Sequence, residues 1–133
     1  MSPNEDYWIR ALKSLQVARF ILGMDPDTAA SKAYYSAFYA VSALFLVEGR
    51  SFTRHAAVEA AVHRDLVNTG VWSKELGKQY SRLFESRLVG DYGGALHVDH
   101  KHAVAAINDA REVLRAISMM KPDVFPWQEG LFP

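Results

Sequence analysis

The chain has 133 residues, half of them hydrophobic, with 15 basic and 15 acidic side chains and no cysteine. This length suits one domain with a real core, and the composition excludes a disordered chain. Balanced charge excludes nucleic-acid binding by bulk electrostatics, and the missing thiols exclude disulfides, zinc–thiolate sites and cysteine nucleophiles.

Five helices are predicted in chain order. Ser2-Pro3-Asn4-Glu5 reads as an N-cap, a proline at the first helical position and a capping-box glutamate. Trp8, Ala11, Leu12, Leu15, Ala18, Ile21 and Leu22 then keep one face apolar until Gly23. The second helix starts at the Asp25-Pro26 cap and runs to about Gly49. From Ala33 to Val47 it is apolar almost all round, as a central helix covered on several sides would be. That run carries three tyrosines and two serines and is too short and too polar to span a bilayer. A third helix is predicted over roughly residues 54 to 68, closed by Gly70. The fourth runs from the Ser73 cap to Tyr92, ahead of Gly93-Gly94, and the fifth from about Asp99 to Met120, where Pro122 stops it.

No repeat, glycine-rich phosphate loop or strand-like alternation is present. The expectation is an all-α antiparallel bundle of four or five helices with up-down connections over residues 1–120. An irregular tail over 121–133 carries Phe125, Trp127, Leu131 and Phe132, which either fold back, close a dimer or dock a partner. The N-terminus lacks a basic start followed by an apolar run, so no secretory signal is read and a cytoplasmic location is expected.

One residue breaks the pattern. Leu76, Tyr80, Leu83, Phe84 and Leu88 form the apolar stripe of the fourth helix, and Arg87 falls on or beside it. A guanidinium keeps its proton, and burying it without an anionic partner is costly. Asp91, four residues on, is one partner. A basic residue preceding an acidic one at a helix C-terminus is the poorer order, however, because Asp91 opposes the macrodipole. The pair is therefore read as a device that aims Arg87 into a cleft where it meets phosphate.

Two strings carry a family resemblance. SKAYYSAFYAVSALFLVEG resembles the signature of prokaryotic HEPN-domain proteins, an Ala-Tyr-Tyr-x-x-Phe core followed by a small-residue helix. ESRLVGDYG resembles the Arg-x-x-x-Asp-Tyr end of a later helix in that group, and His55 fits a histidine at the start of the intervening helix. The resemblance implies a homodimer with a cleft at its interface. It also implies pairing with a minimal nucleotidyltransferase in toxin–antitoxin or nucleotide-signalling modules, and in active members a metal-independent ribonuclease with an Arg-x4-6-His motif. Here positions 91 to 93 are Asp91, Tyr92 and Gly93, and the next histidine, His97, lies beyond the helix break.

The candidate catalytic set is Arg87, Asp91, Tyr92 and His55, with Arg87, Arg82 and Tyr80 as ligand contacts. RNA cleavage needs a base, an acid and a cation for the phosphorane charge. Arg87 supplies the cation, Asp91 is a poor base beside it, and Tyr92 is a candidate proton donor. His55 would be the missing imidazole, held neutral by the helix N-terminus. Arg50 and His55 also match Arg-x4-His formally, but across a loop. Arg82 is five residues from Arg87 and does not share its face cleanly; with Lys74 and Lys78 it forms a ladder typical of a solvated face. The three aromatics Tyr34, Tyr35 and Tyr39 read as core. The cluster His97, His100 and His102 reads as a polar helix entry, and no metal or cofactor is expected. The functional expectation is RNA or nucleotide binding in a dimer-interface cleft. The alternatives are an endoribonuclease with a degenerate motif and a catalytically silent interaction module.

Overall fold

The structure, a computed structural model, describes residues 2–92, 94 and 96–127; the side chains of Gly90 and Tyr92 lie outside that description. The described residues form five helices: α1 (Pro3–Ile21), α2 (Pro26–Val47), α3 (His55–Ala61), α4 (Lys74–Tyr92) and α5 (His100–Met120). No strand occurs among them, and none of these helices is long and apolar enough to cross a membrane.

Helix starts follow the side chains that cap them. Asp25 accepts from the Thr28 amide at 3.1 Å, Ser73 from Leu76 at 3.1 Å and Asp99 from His102 at 2.8 Å. Ser2 caps α1 through the Glu5 amide, but the reciprocal half of the capping box differs: the Ser2 hydroxyl, not its amide, donates to Glu5.

Helix α2 is the central element and packs on α1, α4 and α5. Its small residues make this possible. Ala29, Ala30, Ala33, Ala37, Ala40 and Ala43 are all sealed from solvent, so three neighbours approach its axis closely. Ser36, also buried, donates to the Ala11 carbonyl at 2.6 Å and ties α2 to α1. The Asp27 carboxylate holds the approach to α5, accepting from the Val98 amide at 2.6 Å with His97 at 2.7 Å. This contact brings the starts of α2 and α5 to one end, and α1 and α4 run against them.

The expected third helix is not uniform. It is α-helical to Ala61 and then widens into a π-helical turn over Val62–Val67, with the Asn68 amide donating to the His63 carbonyl. This turn packs against Gly77 of α4. A Cβ there would meet Val67 Cγ2 at 2.6 Å and the His63 ring at 3.3 Å, so the widened turn occupies the space that glycine leaves. A π turn inside a helix commonly marks a functional stretch.

The described part of the tail folds back. Phe125 is fully buried with its ring 5.2 Å from Trp8, and the Trp8 indole donates to the Pro126 carbonyl at 3.0 Å. Leu131 and Phe132 lie outside the described residues.

Two stability measurements test this packing. Phe125→Ala is expected to cost about 3 kcal/mol in urea unfolding, the usual loss for a large buried aromatic. Gly77→Ala gains helix propensity of about 1 kcal/mol but forces the short Val67 side chain aside, at about 1–3 kcal/mol. A net fall in Tm is the expected result, and a rise would mean that the π turn yields freely.

Candidate functional site

Burial of Arg87 is the observation around which the site is built. Its residue exposure is only 8%, rare for a residue whose charge cannot be neutralised. Its guanidinium carbon lies 5.3 Å from the Tyr34 ring centre and 5.6 Å from that of Phe84. Both faces present the negative side of an aromatic quadrupole, a contact worth about 0.5–2 kcal/mol. Asp91 stands one turn on, with Oδ2 3.9 Å from Nη1. That distance is an ion pair but not a close hydrogen bond. The carboxylate thus balances the charge electrostatically without clamping the fork.

Helix α3 brings His55 to the same place. Its Nδ1 lies 2.8 Å from the Tyr34 hydroxyl, and its ring is 4.3 Å from Phe38, 5.6 Å from Tyr34 and 5.6 Å from Tyr35. Burial among these rings pushes the imidazole pKa down, Arg87 pushes it down further, and Asp91 partly opposes them. Desolvation and the neighbouring cation thus act in the same direction as the helix N-terminus invoked from sequence. His55 is neutral at pH 7. Tyr34 is sealed from solvent, and burial raises its pKa far above the ordinary value, so its hydroxyl keeps its proton.

The other sequence candidates separate. Tyr92 ends α4, but its side chain lies outside the described residues. Tyr80 is fully buried behind Tyr34, with ring centres 6.2 Å apart, and offers no surface to a ligand in this state. Arg82 is on the α5 side of α4, where Asp109 holds it at 3.3 Å and Glu75 at 3.5 Å. Asp109 is itself buried, so Arg82 serves the α4–α5 contact and is not brought beside Arg87. A cleft of about 380 Å³ opens on that side, between Arg82, Ser86 and the segment from His97 to Asp99, and Arg87 is not among its lining residues. Arg50 pairs with Asp65 at 2.6 Å and rests on Phe45 and Phe52, so the formal Arg50-to-His55 spacing makes no site. His97 and His102 bond to Asp27 and Asp99, and no set of three metal-ligating side chains converges among the described residues.

Sequence reasoning missed a second polar group beside the first. His63 Nε2 lies 2.7 Å from the Ser81 hydroxyl, which is 3.3 Å from Glu59. Glu59 falls one turn after His55 and one turn before His63, and its charge reaches Tyr34 and Tyr80. The spacing of four from His55 to Glu59 to His63 was available in the sequence as a polar stripe on one face.

Arg87→Met tests the electrostatics. Removing the cation is expected to raise the His55 pKa toward, but not to, its ordinary value, because desolvation remains; proton NMR titration of the imidazole reads this directly. The lowered pKa also has a stability consequence. The unfolded chain takes up this proton before the folded one, so the contribution of neutral His55 is complete above about pH 6.5 and is lost as pH falls through the depressed folded value. Denaturation midpoints compared across that window should show a slope that His55→Leu reduces.

Comparison with known proteins agrees with this architecture. The HEPN domain family matches residues 5–120. A UPF0332 protein from Thermotoga maritima is 40% identical over 121 residues, covering 90% of this chain and 92% of its own length. A second UPF0332 protein, from Gloeobacter violaceus, is 32% identical over 71% of this chain and 77% of its own. A Methanocaldococcus jannaschii protein that bears the name "Putative toxin" is 26% identical, over 71% of this chain and 65% of its own. The crystal structure of TT1696 from Thermus thermophilus superposes with a TM-score of 0.74 at 19% identity, over 90% of this chain and 98% of that one, and so shares the fold. On the family match and the two relatives above 30% identity, the chain belongs to the HEPN-domain family.

Proposed function

We propose that this protein binds the phosphate of RNA or of a nucleotide through Arg87, with His55 beside it. The observation that carries the reading is the buried guanidinium, lying on two aromatic faces with the Asp91 carboxylate 3.9 Å away. Removing an arginine from water to pair it with a carboxylate gains little for stability alone. It does produce a cation in a low-dielectric setting, where an incoming anion is bound more strongly than at an open surface.

A second copy of the chain completes the cleft in this reading. The half-buried aromatics Tyr35, Phe38 and Tyr39, with exposed Leu88 next to Arg87, leave apolar surface around the site for such a contact. The biological setting proposed is a toxin–antitoxin or nucleotide-signalling module with a minimal nucleotidyltransferase as partner, and the relative named "Putative toxin" supports that setting.

A second reading, a metal-independent endoribonuclease, draws support from one observation. Helix α3 supplies beside Arg87 the imidazole that the end of α4 lacks. Asp91 and Tyr92 are then the remaining candidates for proton transfer.

Fluorescence anisotropy with a labelled single-stranded RNA in EDTA, followed by electrophoresis of the same RNA, separates the readings. Binding without cleavage is expected. Arg87→Met should weaken binding about tenfold or more and flatten its salt dependence. The variant should also stay folded, within about 1 kcal/mol of the wild type, because methionine fills the same space without a buried charge. Cleavage lost in both Arg87→Met and His55→Leu would favour the nuclease, and a folded variant that binds as well as the wild type would remove Arg87 from the site.

A further inference from the structure

Two hydroxyls and an imidazole meet at the back of the Arg87 site, and their protons cannot be arranged freely. Tyr34 is sealed from solvent, and its hydroxyl makes one hydrogen bond among the described residues, the 2.8 Å contact to His55 Nδ1. This contact has two possible directions. If the imidazole donated through Nδ1–H, the Tyr34 proton could turn only to the Tyr80 oxygen, and the buried Tyr80 proton would then be left with no acceptor among the described residues, which is costly. If Tyr34 donates, its proton is satisfied, and its oxygen remains open to the buried Tyr80 hydroxyl, on which Tyr34 is the largest polar influence. The second arrangement leaves the single proton of neutral His55 on Nε2. That nitrogen lies on the opposite edge of the ring, is bonded to no described residue and is not sealed from solvent.

We propose that Tyr34 is a positioning residue: by donating to His55 Nδ1 it fixes the imidazole as an Nε2–H donor, so that His55 and Arg87 together form a two-donor site for one phosphate group. The inference rests on the phosphate-binding reading and adds to it the role of His55. An imidazole in this tautomer has no free lone pair to take a proton from a ribose hydroxyl, since its acceptor nitrogen is engaged by Tyr34. It can only donate. The close tilted contact with Phe38 and the hydrogen bond to Tyr34 together fix both the plane and the rotation of the ring, which a donor aimed at a phosphate oxygen requires. The same Tyr34 ring supports the Arg87 guanidinium, so one side chain orients both donors.

The test is nitrogen-15 NMR of the histidine side chains at a pH where His55 is neutral. The expected wild-type spectrum shows His55 protonated at Nε2, with Nδ1 shifted as a hydrogen-bond acceptor. In Tyr34→Phe the Nδ1 signal should move to that of an unbonded ring nitrogen, and the mixture of tautomers found in free histidine should reappear. Inorganic phosphate should then shift the Nε2–H resonance of the wild type and not that of Arg87→Met. Two further variants address function without relying on Tyr34→Phe folding well. His55→Gln carries an amide donor near the Nε2 position and should retain most of the RNA affinity. His55→Leu should lose about tenfold or more, as removal of a hydrogen bond to a charged group does. A wild-type His55 protonated at Nδ1, in a protein that still binds RNA through Arg87, would overturn this inference alone. Equal RNA binding by His55→Leu would overturn it as well. An Nε2–H tautomer in a protein whose resonances ignore phosphate, and which binds no RNA, would overturn the inference and the functional reading together.

Discussion

The position of one guanidinium constrains the rest of this molecule. Arg87 cannot shed its charge, and the α2–α4 packing that buries Tyr34, Tyr80 and Leu83 takes Arg87 out of water with them. The fold answers with aromatic faces and a carboxylate one turn on. Tyr34 and Phe84 lie against the cation, and Asp91 stands at 3.9 Å. A site optimised for stability would bring the carboxylate closer or replace the arginine by an apolar residue, because a buried ion pair seldom outweighs its desolvation.

Tyr34 links this constraint to the rest of the fold. It sits on α2, where the run of buried alanines lets α4 approach closely enough for its ring to lie under Arg87. Its hydroxyl reaches α3 and holds His55. From there the polar stripe continues along α3 through Glu59 to His63, where the π turn and Gly77 set the imidazole against Ser81. A single interface, α3 with its π turn against α4 and α2, therefore carries Arg87, His55, the Tyr34 hydroxyl and the group of Glu59, His63 and Ser81. The opposite side of α4, where Arg82 meets Asp109, serves packing.

Much of the fold was legible because its signals are local. Caps at Ser2, Asp25, Ser73 and Asp99, the apolar periodicity and the breaks at Gly23 and Pro122 all act within a few residues. The placement of Arg87 on the apolar stripe was legible for the same reason. The π turn was not, because the glycine it packs against lies on another helix. The meeting of His55 with Arg87, 32 positions apart in the chain, depends on how α3 docks, which no spacing within either segment encodes. Arg82 read as a candidate ligand contact that does not share the Arg87 face cleanly. Only the contact with Asp109, on a third helix, shows which way it turns. The Tyr34 hydroxyl likewise read as core, since an aromatic on an apolar helix gives no sign of what its oxygen touches.

The account stands on the claim that geometry, beyond charge, makes Arg87 an anion site. Lysine at this position keeps the charge but has neither the planar face that stacks on Tyr34 nor the two-pronged donor set. The most direct measurement is therefore the affinity of the Arg87→Lys variant for single-stranded RNA, in a preparation shown to be folded. A loss of about tenfold at unchanged net charge is the expected result. Affinity equal to that of the wild type would contradict the claim.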